Sequence, residues 1–307
     1  MTSATAVAPR TVGNVAVGFD LLGHALEGDG DRVSVTRNRA GRVTILAIDG
    51  SDTPLPTEAD RNTAGRALVH LLQSCPPGTG FEVRIRKGIA MGSGLGGSAA
   101  SAAAAVVAAN ATLEAPLTLE ALYEAAMAGE AAATGSHHGD NVAPALLGGL
   151  VIAPAKGAPI RVPVPAWLHA AVVRPAFPLE TRRSRAVLEA PFALHEFVAQ
   201  SEALALTLMG CLRNEASLLR RGLRDTLVEP RRASLIPGFE QVKQAAMQAG
   251  ALGASISGGG PSVFGWFESR HAAEQAAAAM QRAFREAGHA SEAVISAVDA
   301  PGARLVP

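Results

Sequence analysis

The chain has 307 residues, a length that suits two domains or one large one, and 48% of them are hydrophobic while 18% are charged. Its 27 lysines and arginines balance its 27 aspartates and glutamates, so no overall positive field is available to attract nucleic acid or anionic lipid. This composition excludes a disordered or fibrous chain, and the 4% aromatic content argues against a base-stacking surface.

The cysteine content and the apolar segments indicate in which cellular compartment the protein works. Cys75 and Cys211 are too few for a disulfide framework or a thiolate metal cage. Residues 1–10 lack the apolar core of a signal peptide, and the longest stretch of small apolar residues, 99–111, is too short and too rich in alanine to span a bilayer. We therefore expect a soluble, cytoplasmic protein.

Hydrophobic periodicity and turn residues predict the elements in chain order. In the first half they are strands at 32–38, 43–48 and 81–86, and helices at 61–74, 98–111 and from Thr118 onward. In the second half they are strands near 169–174, 253–257, 262–267 and 291–298, and helices near 195–222, 239–250 and 270–288. A proline-rich stretch at 154–166 predicts a boundary between domains at residues 1–160 and 161–307.

A glycine-rich loop at 88–97 follows a predicted strand and precedes a predicted helix. Glycines allow the backbone to approach a polyanion closely, and the helix N-terminus adds free donors, so this loop predicts phosphate binding. It lacks the Gly-Lys-Ser/Thr ending of a P-loop. Gly92, Gly94 and Gly97 satisfy the dinucleotide pattern, but that fold also needs a second strand ending in an acidic residue, and a further helix follows instead.

Three further polar segments are candidates for substrate contact. Residues 135–141 place an imidazole, a carboxylate and an amide in one loop. The adjacent His137 and His138 lack a spaced third ligand, so a metal site is not predicted. The loop is therefore either a substrate-contacting loop or an exposed polar turn. Residues 255–264 hold more glycines than a hairpin needs. Arginines flank turns at 181–185 and 230–232, where they serve either as carboxylate ligands or as solvated charges.

Taken together, these segments resemble the GHMP kinase family. The family's ATP loop is similar to residues 90–100, its N-terminal motif to 9–23 and its C-terminal glycine motif to 257–264. Residues 136–145 and 235–239 resemble patterns that mark one branch of the family. Gly97 stands where the family usually has serine, which removes one hydroxyl and leaves the backbone of the loop.

The resemblance implies a two-domain α+β fold, with a first domain like the second domain of ribosomal protein S5 and a ferredoxin-like second domain. It also implies transfer of the γ-phosphoryl group of ATP to the side-chain hydroxyl of L-homoserine, a step of threonine biosynthesis, by a homodimer that uses Mg²⁺. Another GHMP small-molecule kinase and a non-catalytic ligand sensor of this fold are the alternatives.

The resemblance also implies roles for particular positions. Nucleotide contacts fall on Asn62, Ala90, Met91, Gly92, Ser93, Gly94, Leu95, Gly96, Gly97, Ser98, Ala99 and Ala100. Mg²⁺ ligands are Ser98 and Glu130. Substrate contacts are Asn14, Asp20, His138, Arg185 and Arg232, and the catalytic group comprises Asp140, Asn141 and Thr181. Because phosphoryl transfer depends mainly on positioning and charge stabilisation, a strong base is not obligatory.

Overall fold

The computed structural model describes residues 2–134 and 138–307. Its strands are β1 (Ser3–Ala8), β2 (Thr11–Gly13), β3 (Leu22–Ala25), β4 (Asp31–Asn38), β5 (Val43–Asp49), β6 (Gly80–Arg86), β7 (Leu150–Ile152), β8 (Ile160–Val162), β9 (His169–Pro175), β10 (Gly253–Ile256), β11 (Val263–Phe267), β12 (Ser291–Ala297) and β13 (Arg304–Val306). Its helices are α1 (Thr63–Leu71), α2 (Gly97–Thr112), α3 (Leu119–Thr134), α4 (Val142–Leu147), α5 (Thr181–Ala186), α6 (Leu194–Leu212), α7 (Ala216–Gly222), α8 (Glu229–Arg232), α9 (Phe239–Gln248) and α10 (Arg270–Glu286).

The strands form three sheets. The first has the order β13-β1-β4-β6-β5, in which β5 runs parallel to β6 and the other pairs are antiparallel. The second has the order β10-β11-β9-β12 and the third the order β2-β3-β7-β8, both antiparallel. Helices and sheets therefore mix in both halves, which confirms the α+β prediction.

The alanine-rich helix α2 lies at the centre of the first half. It packs against β1 and β4 on one side and against α1, α3 and α4 on the other. Its residues are buried on nearly every face, as expected of a helix that is apolar all round. Because alanine side chains are small, these neighbours approach α2 closely, and the packing fixes where its N-terminus lies at the end of the glycine loop.

The second half contains a β-α-β-β-α-β unit formed by β9, α9, β10, β11, α10 and β12. Its antiparallel order β10-β11-β9-β12 is the ferredoxin-like arrangement, as the sequence resemblance implied. One face of the sheet packs on α9 and α10 in a separate apolar cluster. Within the residues described, no helix is both long and apolar enough to cross a membrane.

The structure modifies several of the predicted elements. The strands at 32–38 and 43–48 form as β4 and β5, but β6 lies between them in the sheet. The long helix predicted at 195–222 is divided into α6 and α7. The predicted domain boundary after residue 160 falls inside β8, and β13 returns to pair with β1, so the proposed division at 160 does not follow the sheets.

Candidate active site

A cleft of about 710 Å³ opens beside the glycine loop. Segments from both halves of the chain line it, including the turn after β2, the loop before α4, the start of α5 and the glycine run after β10. The predicted site residues that line it are Asn14, Asp20, Ala90, Met91, Gly92, Ser93, Gly94, Leu95, Gly96, Gly97, Ser98, Glu130, His138, Asp140, Asn141, Thr181, Arg185 and Arg232. The fold thus gathers distant motifs around one space.

The glycine loop is held by its carbonyl groups. Four successive carbonyls accept hydrogen bonds: Gly92 from Leu179 N at 2.9 Å, Ser93 from Ser262 Oγ at 2.7 Å, Gly94 from Ser257 Oγ at 2.7 Å and Leu95 from Thr11 N at 3.1 Å. Three of these donors belong to the C-terminal half. With its carbonyls bonded to protein, the loop backbone retains mainly N–H donors, which suit an anion such as a phosphate.

Glycine is required in this loop for both conformation and space. The φ angles of Gly92, Gly94 and Gly96 are +64°, +74° and +68°. A residue with a side chain would be strained in this left-handed region. A Cβ atom on Gly94 would lie 2.6 Å from the carbonyl oxygens of Ser257 and Gly260. The close contact between the two glycine segments therefore depends on the missing side chain.

The N-terminus of α2 carries the predicted metal pair. Ser98 lies in its first turn and hydrogen-bonds the Glu130 carboxyl on α3, which is buried. Burial raises the pKa of Glu130 to about 7, the Ser98 bond opposes this, and the charge of Asp140 adds to the rise. Two oxygen ligands suit Mg²⁺, which keeps waters and phosphate oxygens around it. Among the residues described, no group of three His, Cys, Asp or Glu side chains could hold a metal by itself.

Asp140 is buried between the N-terminal turn and the loop before α4. Its Oδ2 accepts a hydrogen bond from Asn14 N at 3.0 Å. Burial raises the pKa of Asp140 to about 6, and the negative charge of Asp20 adds to this, while His138 and the Asn14 bond oppose it. The next residue, Asn141, accepts a 2.8 Å bond from Thr11 Oγ1. A carboxylate with a pKa near neutrality is thus fixed beside the phosphate loop.

Asp20 forms a charged cluster with two of the other predicted substrate residues. Arg185 donates to both its carboxylate oxygens, at 3.1 and 2.8 Å, and His138 Nδ1 lies 3.0 Å from Oδ2. Burial would raise the pKa of Asp20, but the bonds from His138 and Arg185 outweigh it and lower the pKa. Arg185, predicted as a carboxylate ligand for the substrate, therefore already holds a carboxylate of the protein.

Arg232 is almost fully buried at the end of α8 and is fixed by backbone carbonyls. Its Nε donates to Ser184 O at 3.0 Å and its Nη1 to Gly258 O at 2.9 Å. Burial lowers its pKa to about 10, and the nearby charge of Arg185 contributes to the decrease. Since these bonds use Nε and Nη1, the other guanidinium nitrogen, Nη2, is available to a ligand in the cleft.

Three of the predicted nucleotide residues do not line the cleft. Asn62 caps α1 by accepting bonds from Ala64 N and Gly65 N, and its amide donates to Pro56 O. Ala99 and Ala100 are buried in α2. Thr181, which begins α5, is exposed at the edge of the cleft. Of the 136–145 motif, Ser136 and His137 lie outside the described residues, as does Gly135.

The sequence analysis missed the role of the turn after β2. Asn14, Val15 and Ala16 have φ of +67°, +39° and +58°, which is strained for side-chain-bearing residues. The Phe19 ring lies beneath both guanidinium groups, 5.5 Å from Arg185 and 5.2 Å from Arg232. Periodicity carries no signal for such a turn; an aromatic residue beside Asp20 in the N-terminal motif was the available clue.

Comparison with known proteins agrees with this geometry. Two family models match, described as GHMP kinases N terminal domain over residues 62–149 and GHMP kinases C terminal over residues 203–286. The fold and the phosphate-type cleft thus define a kinase of small molecules, and the chain belongs to the GHMP kinase family.

Three similar proteins are all homoserine kinases. Homoserine kinase of Xanthomonas campestris pv. campestris (strain B100) is 55% identical over 304 residues, covering 99% of this chain and 94% of that protein. Homoserine kinase of Xylella fastidiosa (strain 9a5c) is 53% identical over 303 residues, with coverage of 99% and 94%. The crystal structure of homoserine kinase from Cytophaga hutchinsonii ATCC 33406 has 39% identity and a TM-score of 0.94, covering 100% of this chain and 98% of that one.

Proposed function

We propose that this kinase transfers the γ-phosphoryl group of ATP to the side-chain hydroxyl of L-homoserine, in the synthesis of threonine, and that it acts in the cytoplasm. One observation carries the proposal: the phosphate-type loop and a charged cluster of amino-acid size share a single cleft. The homoserine kinases that are 55% and 53% identical over nearly the whole chain support the same acceptor.

The charged cluster suits a zwitterionic amino acid. Arg232 is anchored through two of its nitrogens, so its Nη2 group meets a carboxylate with little loss of conformational freedom. Asp20 is the anionic partner for the substrate ammonium, and Arg185 and His138 hold its carboxylate in place. The two guanidinium groups and the Asp20 carboxylate therefore form a site that recognises both charges of the substrate.

The acceptor hydroxyl is assigned to Asp140 and Asn141. Asn14 fixes Asp140 through its backbone, and Thr11 fixes Asn141, so both side chains are oriented before substrate binds. We assign Asp140 the role of orienting the hydroxyl, because phosphoryl transfer gains most from alignment of the attacking oxygen with the γ-phosphate. Thr181 also lines the cleft, and we assign it to the γ-phosphate.

Ser98 and Glu130 are the residues that would hold Mg²⁺, which supplies charge neutralisation for the phosphates when bound. Ser98→Ala removes one oxygen ligand and leaves the backbone of the loop intact. We expect a large loss of turnover that is partly restored by raising the Mg²⁺ concentration, while metal-free ADP binding changes less. The matched control is Thr112→Val, which deletes a hydroxyl at the far end of α2. Normal turnover of Ser98→Ala at low Mg²⁺ would contradict the metal role.

The acceptor is tested by an ADP-release assay with homoserine, mevalonate, galactose and shikimate, each at equal concentration. We expect release with homoserine to exceed release with the other three by orders of magnitude. Preference for another acceptor would identify a different GHMP kinase activity. Absence of ATP turnover with all four, despite nucleotide binding, would favour a ligand sensor of the same fold.

We also propose a homodimer formed through α6. Five large apolar side chains on this helix are exposed: Leu194, Phe197, Val198, Met209 and Leu212. Their spacing places them on one face along the whole helix. When two copies pair antiparallel about a two-fold axis, the apolar face of one α6 covers the apolar face of the other along the whole helix.

The α6 dimer is tested by analytical ultracentrifugation of Phe197→Glu, which should sediment as a monomer. Met247→Glu introduces the same charge at an exposed apolar residue of α9 and should leave the dimer intact. A monomeric wild type, or a Phe197→Glu variant that stays dimeric, would refute the α6 interface.

A further inference from the structure

A fully buried ion pair lies beneath the glycine loop, outside the cleft. The Asp31 carboxylate, at the start of β4, accepts four hydrogen bonds. Two come from backbone N–H groups at the entrance of the loop, Gly88 at 2.9 Å and Ile89 at 3.2 Å. The others come from the Lys87 ammonium and from Ser101 Oγ at 2.5 Å.

The Lys87 ammonium uses all three of its donors in the same network. Besides Asp31, it donates to Gly97 O at 2.8 Å and to Ser101 Oγ at 2.8 Å. Gly97 is the first residue of α2, and Ser101 lies one turn further along that helix. The side chains of Lys87 and Asp31 are 4% and 0% exposed, so the pair lies out of water.

The two ends of the glycine loop are therefore both hydrogen-bonded to the Asp31–Lys87 ion pair. Gly88 and Ile89 are held where the chain leaves β6, and Gly97 is held where it enters α2. The residues between them adopt three positive-φ glycine conformations, so their own backbone does not fix the distance between the ends. A fully satisfied buried network is rigid, because removing any member leaves a charge or donor unpaired in a low-dielectric environment.

We infer that Asp31 and Lys87 are positioning residues that set the separation of the two ends of the phosphate loop, and that Ser101 completes their network. They act on nucleotide binding and do not touch the acceptor. This inference rests on the proposed assignment of the loop to ATP. It predicts that damage to the network weakens ATP and ADP binding while the Michaelis constant (KM) for homoserine is unchanged.

The test uses the full chain and two readouts, the dissociation constant (Kd) for ADP by calorimetry and the KM for each substrate. Ser101→Ala keeps the ion pair and removes one bond to each charge. Because the separation of the two loop ends is then less well fixed, ADP Kd and ATP KM should rise roughly 10- to 100-fold. Lys87→Met should do at least as much. Ser101→Thr retains the hydroxyl and should restore binding to near the wild-type value.

Two matched controls separate positioning from general stability. Thr112→Val deletes a buried hydroxyl on the same helix, and Arg86→Met removes the exposed charge next to Lys87; both should bind ADP as the wild type does. The inference is overturned if Ser101→Ala binds ADP like Thr112→Val at equal loss of melting temperature. If Lys87→Met does not fold, Ser101→Ala and Ser101→Thr decide.

The same data distinguish the inference from the proposed function. Wild-type protein that binds ADP but does not phosphorylate homoserine refutes the proposed acceptor, while the Ser101 series still tests the loop. Wild-type protein that binds no ADP overturns both. Normal homoserine phosphorylation together with unchanged ADP affinity in Ser101→Ala refutes only the positioning role.

Discussion

Asp140 has two properties that a solvent-exposed aspartate lacks. It is buried, and its pKa is raised to about 6, so its charge changes within the pH range in which enzymes are assayed. Its backbone partner, Asn14, belongs to the strained turn and also donates through its amide to Gly258 O at 2.8 Å. The ionisation of one side chain is thereby linked to the contact between the two halves of the chain.

The Asp140→Asn variant distinguishes orientation of the substrate from base catalysis. Asparagine keeps the shape and an acceptor oxygen, so we expect the KM for homoserine to rise at least as much as kcat falls. Loss of a general base typically costs about 10²–10⁴-fold in kcat with KM unchanged. The wild-type kcat/KM should fall as the pH is lowered through about 6, because protonation removes the charge.

The measurement is the pair of pH profiles, wild type beside Asp140→Asn, with kcat and KM separated. Asp299→Asn, an exposed carboxylate paired with Arg161, is the control and should follow the wild type. An acid limb in wild-type kcat that disappears in Asp140→Asn, at constant KM, would establish Asp140 as the base and contradict our assignment.

The two site arginines should differ in their effects. Arg232→Ala removes an anchored guanidinium from the proposed carboxylate site, so kcat/KM for homoserine should fall by about 30- to 1000-fold, equivalent to roughly 2–4 kcal/mol. Arg185→Ala should also impair homoserine use, but through Asp20, which loses its bidentate partner. The KM for ATP should change little in either variant.

The neighbouring arginines provide matched controls. Arg183 is exposed on α5, and Arg231 stacks on Phe192 with 3.7 Å between its guanidinium carbon and the ring centroid. Arg183→Ala and Arg231→Ala should therefore retain near wild-type kinetics for homoserine. Equal losses in all four alanine variants would mean that general surface charge, and not a carboxylate site, was disrupted.

The residue scale also shows that a residue predicted to contact the nucleotide has a structural use in the fold. Asn62 was predicted to contact the nucleotide, but both ends of its amide are used within the helix cap and the loop before it. The sequence pattern of a polar residue before a helix is the same for a cap and for a ligand contact. Only the fold shows that this cap lies away from the cleft, because the position of α1 depends on packing with α2 and α3.

At the scale of elements, the glycine loop makes a direct steric prediction. Gly94→Ala forces a side chain into left-handed backbone and against carbonyl oxygens 2.6 Å away. We expect the free energy of unfolding to fall by about 1–2 kcal/mol for the backbone conformation and by a further 1–3 kcal/mol or so for overpacking. Unfolding in urea should show this loss of stability, and the Kd for ADP should rise.

Gly78 is the matched control for this substitution. Its φ is +82°, similar to that of Gly94, but a Cβ atom there meets no atom within 4 Å. Gly78→Ala should therefore show the conformational cost alone and leave ADP binding unchanged. Equal destabilisation in the two variants would show that the close contact between the glycine segments is not important.

The elements that sequence could predict are those with local signals. The helix near 98–111 forms as α2, and the elements near 239–298 form in the predicted order, since periodicity and turn residues act within a few positions. The strands β1, β2, β3, β7, β8 and β13 were missed. All except β1 have only three or four residues, which is too short for a clear alternation of apolar and polar residues. The six-residue strand β1 is defined by its partners β4 and β13, which lie elsewhere in the chain.

At the scale of the whole molecule, a buried histidine connects the two halves. Trp266 Nε1, on β11, donates to His24 Nε2 at 3.2 Å, and His24 Nδ1 lies 2.9 Å from Ala25 O on β3. His24 is fully buried, and burial lowers its pKa to about 4 against the hydrogen bond to Ala25, which raises it. The neutral ring, with its proton on Nδ1, satisfies both neighbours.

This histidine predicts a loss of stability in acid. Its folded pKa lies below the usual 6.5, so its full contribution is present above pH 6.5 and is lost progressively as the pH falls towards 4. A shift of that size corresponds to about 3 kcal/mol. Glu130 and Asp140 act in the opposite direction because their folded pKa values are raised.

Comparison with a His24 variant therefore isolates the contribution of this histidine to the pH dependence of stability. His24→Gln should be destabilised at pH 7.5, and the difference from wild type in the free energy of unfolding should shrink between pH 6.5 and pH 4, followed by Trp fluorescence. His271→Gln changes an exposed histidine on α10 and should keep the wild-type pH profile. A constant difference between wild type and His24→Gln across this range would contradict the assignment.

The anchoring of the glycine loop limits how this kinase can be recombined with its relatives. Three carbonyls of the loop are bonded by Leu179, Ser257 and Ser262, all from the part of the chain that also supplies Arg185 and Arg232. A chimera that exchanges the C-terminal half in order to change the acceptor also exchanges the scaffold of the nucleotide site. Specificity in this architecture is therefore not modular, and an exchange of halves should succeed only where the loop and its three donors are inherited together.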